Sequence, residues 1–173
     1  VDPVTGDVTV VWFRRASPNY RVQANTKTAS GTFSSGAIVD LTTDVNTSMI
    51  DAPGVAVSGT GVVTAIWALA GNVQSRTLSS GTWSPLDTLW TANPAGRGPS
   101  VAVASDGTAI AGWRVDASAT YQVRSASRAT ASSTFDTSVL IDSANVSSNS
   151  ALIQPAVVID DAQATLVLSL IHI

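Results

Sequence analysis

One pattern constrains this chain more than any other: a tryptophan returns three times in the same local context. Gly6-Asp7-Val8-Thr9-Val10-Val11-Trp12 aligns with Gly61-Val62-Val63-Thr64-Ala65-Ile66-Trp67 and with Gly107-Thr108-Ala109-Ile110-Ala111-Gly112-Trp113. A fourth copy opens at Ala162-Gln163-Ala164-Thr165-Leu166-Val167. The tryptophans stand 55 and then 46 residues apart, and a further 55 leads to position 168. A period of this size marks a repeat architecture, in which each unit buries its apolar face only by stacking on its neighbours.

Each copy carries the same companions. An apolar run precedes the tryptophan segment: Pro53-Gly54-Val55-Ala56-Val57, Pro99-Ser100-Val101-Ala102-Val103 and Pro155-Ala156-Val157-Val158-Ile159, with only Val1 in that slot of the first copy. A third run follows: Tyr20-Arg21-Val22-Gln23-Ala24, Asn72-Val73-Gln74-Ser75 and Tyr121-Gln122-Val123-Arg124-Ser125. Next comes a turn bearing Phe33, Trp83 or Phe135, and a fourth run ending at Leu41, Leu89 or Ile141. The unit is thus four short strands.

Composition agrees. All twelve acids are Asp, eight of the nine bases are Arg, and Lys27 is the only lysine. Helices normally clothe their solvent faces with Glu and Lys, whose straight side chains lose little entropy there. Ser and Thr supply about a quarter of the chain, and Val, Ile, Thr and Trp are strand formers. The fold class is therefore all-β. Four strands in roughly 46–55 residues predict a β-propeller fragment. It would hold about three four-stranded antiparallel blades plus the start of a fourth. The units are residues 1–50 (first strand truncated), 51–98, 99–153 and 154–167. Tandem sandwich-like modules are the alternative architecture.

The rhythm P-x-V-A-V…G-x-A-x-A-x-W…V…G-T-W-S resembles bacterial extracellular propeller repeats, loosely akin to sialidase and Asp-box propellers. The resemblance covers residues 1–167. It implies a secreted or cell-surface protein. The Asp-box pattern S-x-D-x-G-x-T-W is not met: Ser80-Gly81-Thr82-Trp83 keeps the Gly-Thr-Trp end without the Asp. Sialidase activity is therefore not implied.

The tail 168–173, Leu-Ser-Leu-Ile-His-Ile, resembles the translation of a sequencing-library adaptor and is set apart from the fold. A genuine terminal strand is the alternative. Three blades and a sliver do not close a ring, so the chain reads as a fragment whose partners include the remaining blades of the same protein. No secretory leader is visible at Val1-Asp2-Pro3, and no apolar run is long enough to span a bilayer.

Trp12, Trp67 and Trp113 are the expected interlocking core, joined by the turn aromatics Phe33, Trp83 and Phe135. In an up-and-down blade, alternate connections fall at opposite ends. The connections of variable length all fall at one end, and that end is the candidate binding face. It carries Arg14 and Tyr20, then Trp90, Asn93 and Arg97, then Arg114 and Tyr121. Trp90 is off the repeat pattern, since Thr42 and Asp142 hold the matching slots. It reads either as a platform for a sugar ring or a protein partner, or as a packing residue between units.

The chain lacks Cys and Glu, and its only histidine, His172, lies in the tail. With the tail set apart, no Ser-His-Asp or Cys-His arrangement can be built. Catalysis within this segment is not expected, and no cofactor or metal site is indicated. Asp2, Asp7 and the Asp160-Asp161 pair fall in predicted hairpin turns, where Asp serves local hydrogen bonds. A net charge of −3 speaks against nucleic acid. The expected function is a non-catalytic interaction scaffold with glycans or surface proteins as partners. A lectin-like propeller, or a non-catalytic part of a glycoside-processing enzyme, is the alternative.

Overall fold

The computed structural model describes residues 1–47, 50–117, 120–129, 134–144, 154–160 and 163–167. The tail with His172, the tryptophan slot at 168, Asp161 and the whole link from 145 to 153 lie outside these residues. The described chain is all-β, with antiparallel strands and no α-helix.

The strands form four sheets in chain order. The first contains β1 (Val8–Ala16), β2 (Asn19–Lys27), β3 (Val39–Asp40) and β4 (Val45–Asn46). The second contains β5 (Ile50–Val57), β6 (Val63–Leu69), β7 (Asn72–Ser79), β8 (Thr82–Trp83) and β9 (Asp87–Trp90). The third contains β10 (Ala95–Val103), β11 (Ala109–Ala117), β12 (Thr120–Arg128) and β13 (Val139–Ala144). The fourth is the pair β14 (Ala156–Asp160) and β15 (Gln163–Val167).

Two details differ from the sequence expectation. The fourth strand of the first two units is split, into β3 and β4 and into β8 and β9, so these sheets do not count as four simple strands. The leading strand also starts before its proline: β5 begins at Ile50 and β10 at Ala95, and an irregularity in register absorbs Pro53 and Pro99. Proline has no N–H for the ladder, so pairing slips at that point instead of stopping.

Hairpin geometry follows from residue choice. Ala70-Gly71 and Ser80-Gly81 both have positive φ at the two central positions. That is the twist-matched two-residue turn, and it joins β6 to β7 and β7 to β8.

The register superposes the repeats. Trp12 stands opposite Gln23, Trp67 opposite Gln74, and Trp113 opposite Arg124. Between the first two sheets, Val22, Ala24 and Leu41 pack against Ala65, Trp67 and Leu69. Between the second and third, Ile66, Ala68, Val73 and Leu89 pack against Ala111, Trp113, Val115 and Ala126. Alternate residues of β6 serve the two cores, which is why the whole strand is buried. Trp67 and Trp113 are both fully buried. At about 25 cal/mol/Å², burying 150–250 Å² of an indole contributes roughly 4–6 kcal/mol before side-chain entropy is subtracted.

Each core tryptophan faces the sheet that precedes its own. Trp12 occupies the same register but is only half-buried. Its strand neighbours Val11 and Phe13 face the second sheet, so Trp12 points to the opposite side, where Val10 and Arg14 are exposed. Phe33 also departs from the core expectation, at 45% exposed, because no second sheet covers its turn. The leading strands lie side by side: β10 packs on β5 and β14 packs on β10. The first sheet has no leading strand, so β1 is an edge and lies directly against β5. The succession is open, with no closed ring among the described residues.

Candidate functional site

The seven residues singled out on the variable-loop end do share one end. The register places the end of β1 against the start of β2, and the end of β11 against both the starts of β10 and β12. Most of them are engaged with one another's neighbours. Arg97 spans two sheets to form a two-pronged ion pair with Asp51, at 2.6 and 3.2 Å. Arg114 pairs with Asp116 at 2.6 Å on its own strand and covers the Tyr121 ring at 5.6 Å. Arg15 lies over Tyr20 at 5.8 Å.

Trp90 is held on several sides. Its indole N–H donates to the Pro94 carbonyl at 2.7 Å, and the Arg124 guanidinium of the next sheet lies 4.5 Å from its ring. Its ring also packs against the second core. Only Arg14 and Asn93 of the seven are exposed.

Arg21, just below this end, binds both Asp40 and Asp44. The hydrogen bond from Arg21 holds the Asp44 carboxyl below the usual carboxylate range, and the same bond raises the Arg21 guanidinium. The loop end is therefore crossed by Arg–Asp and Arg–aromatic contacts.

The opposite end carries what the sequence reading passed over. Between the first and second sheets lies a cleft of about 470 Å³, within the range of roughly 300–1,000 Å³ typical of small-molecule sites. Asp2, Asp7, Thr9 and Thr26 line it from the first sheet and its leading turn. Leu78 and Trp83 line it from the second. Asp2 caps its own turn, accepting from the Val4 N–H at 2.7 Å and the Thr5 N–H at 3.3 Å. The Val4 bond is the main cause holding its carboxyl below the ordinary range. The Thr9 and Thr26 hydroxyls bond each other at 2.9 Å.

The corresponding place between the second and third sheets is filled. Arg128 there is 2% exposed and donates to Thr77 Oγ1 at 2.5 Å and Thr64 Oγ1 at 2.8 Å. Its guanidinium lies 5.3 Å from the Phe135 ring. Burial lowers its pKa and the nearby Asp87 opposes that shift. The repeat register identifies the parts: Thr64 and Thr77 correspond to Thr9 and Thr26, while Arg128 corresponds to Leu78. The signal was present in the sequence, as an Arg in a strand position that holds Leu in the neighbouring unit. It becomes readable only once the register is known.

No group of three or more metal-ligating side chains occurs among the described residues. No helix among them is long and apolar enough to cross a membrane. No family model matches the chain, and no curated protein matches it at a significant level.

Proposed function

We propose that this chain is a segment of a β-propeller in a secreted or cell-surface protein, serving as a non-catalytic interaction scaffold. The observation that carries the reading is the placement of the tryptophans. Trp67 and Trp113 pack on the preceding sheet, and Trp12 presents the same register to a side where no sheet lies among the described residues. The side-by-side leading strands β5, β10 and β14 support it, as inner strands around an axis would lie this way. A lectin-like site on Trp90 has less support, because the Arg124 guanidinium already lies over that ring. The lack of Cys and Glu excludes thiol nucleophiles and leaves Asp as the only acidic side chain for acid–base work.

The test is binding of the purified chain to defined glycan and peptide arrays, with Arg14→Ala and Asn93→Ala alongside. Ligand capture that these variants lose, at unchanged melting temperature, supports a scaffold that binds through its loop end. Turnover of a chromogenic glycoside by the purified chain would overturn the non-catalytic reading.

A further inference from the structure

We infer that the cleft between the first two sheets is a binding site for a guanidinium group, supplied by a small alkylguanidine or by an arginine of a partner protein. The inference goes beyond the scaffold reading and does not depend on it. It rests on a comparison within the molecule. The third sheet fills the equivalent space with its own guanidinium, set on two threonine hydroxyls and beside an aromatic ring.

The cleft repeats those recognition elements without the cation. The hydroxyl pair of Thr9 and Thr26 is present. The aromatic of the following turn is Trp83, in the position that Phe135 holds one unit later. Leu78 replaces Arg128, and its shorter apolar side chain leaves the volume open. A guanidinium carries five donors and no acceptor, which suits a site of hydroxyl and carboxylate oxygens. An indole face adds attraction for a cation.

The electrostatics point the same way. Arg128 is buried with Asp87 as its charged neighbour. The cleft instead has two carboxylates, Asp2 and Asp7, in its lining. Asp2 is held ionised by its backbone bonds. Lys27, next to Thr26 in the chain, has its ammonium engaged by the Thr28 and Ala29 carbonyls. An anionic ligand would meet two like charges. A neutral sugar would gain the hydroxyl contacts but would bring no positive charge to the two carboxylates.

The experiment is titration calorimetry of the whole chain with agmatine, with N-acetylarginine amide, and with an acetyl-Gly-Arg-Gly-amide peptide. N-acetylcitrulline amide and glucose serve as uncharged comparisons. All three guanidinium probes should bind at one site, and the citrulline and glucose probes should not. Tighter binding of the peptide than of agmatine assigns the group to a partner's arginine, and the reverse assigns it to a small ligand. Asp7→Asn should weaken binding by about tenfold, as loss of one charge-assisted contact implies. Leu78→Arg should abolish binding while keeping the parent's melting temperature or raising it, because the chain then supplies its own guanidinium. Equal binding of citrulline or glucose, undiminished binding in folded Leu78→Arg, or no heat from any guanidinium probe would overturn the inference.

Discussion

Replacing Trp67 by Ala tests the stacking of the sheets, provided it is read beside Trp12→Ala. Trp67 is fully buried between two sheets, and its indole N–H donates to Gln74 Oε1 at 3.1 Å. Large-to-small changes at such sites cost about 3–5 kcal/mol, the lost transfer energy plus the cavity left behind. With a urea slope of about 2 kcal/mol/M, the midpoint should fall by roughly 1.5–2.5 M. Trp12 holds the same register but is half-buried, since no sheet covers its face among the described residues. Its loss should therefore cost about half as much, roughly 2 kcal/mol. Urea unfolding followed by far-UV circular dichroism measures both. The diagnostic is the difference, because the two residues share chemistry, strand position and register. Equal costs would refute the argument that burial of each tryptophan comes from the sheet before it. An unchanged midpoint in Trp67→Ala would refute the core assignment itself.

Other perturbations have outcomes set by single contacts. Arg128→Met should leave stability within about 1 kcal/mol of the parent, since a buried cation's attraction barely repays its desolvation, whereas Thr64→Val should cost about 1–3 kcal/mol by stranding a buried guanidinium donor; thermal melts of the two variants check the order. Gly96→Ala should destabilise by about 1–3 kcal/mol, because its new Cβ would lie 2.6 Å from Val73 Cγ2 and 3.0 Å from Trp90 Cδ1; a melting temperature equal to the parent's would mean that Trp90 is loosely held. The Asp44 carboxyl is depressed by Arg21, so its contribution is fully present above the unfolded value of about 3.9 and is lost as pH falls through the folded value. Acid unfolding of Asp44→Asn should therefore show a shallower loss of stability below about pH 4 than the parent does.

The strand pattern was legible because it depends on local chemistry. Alternating apolar residues, Gly-bearing turns and the recurring Trp each act over a few residues, and each reappears in the ladders. Trp67 and Trp113 were recognisable as core for the same reason. The fate of Trp12 was not, since burial depends on what lies on the far side of a sheet, and identical sequence contexts receive different neighbours. The loop end was legible in location and less so in chemistry. Arg14, Arg97 and Arg114 look alike in sequence, yet Arg97 finds Asp51 46 positions away while Arg14 stays exposed. Such pairing is set by how adjacent sheets are offset, which no local pattern encodes.

The cleft exposes a deeper consequence of repetition. In a stack of equivalent sheets the interfaces reuse the same parts, so a change at a shared position bears directly on whether an interface is packed or open. Thr9 and Thr26 repeat Thr64 and Thr77 in both type and register, and the turn aromatic is kept as Trp83. One difference lies in the position facing those hydroxyls, where the long cationic Arg128 of β12 gives way to Leu78 of β7. The third sheet then acts as an internal record of what the site accepts: the shape, charge and donor geometry of Arg128 define the ligand that would complete the first interface. On this argument, the specificity of the open copy comes from partners that match those of Arg128 standing beside a position without the arginine. The two carboxylates at the open copy add what the filled copy does not need, since a ligand arriving from water must be drawn out of it, whereas Arg128 is held there by its own chain.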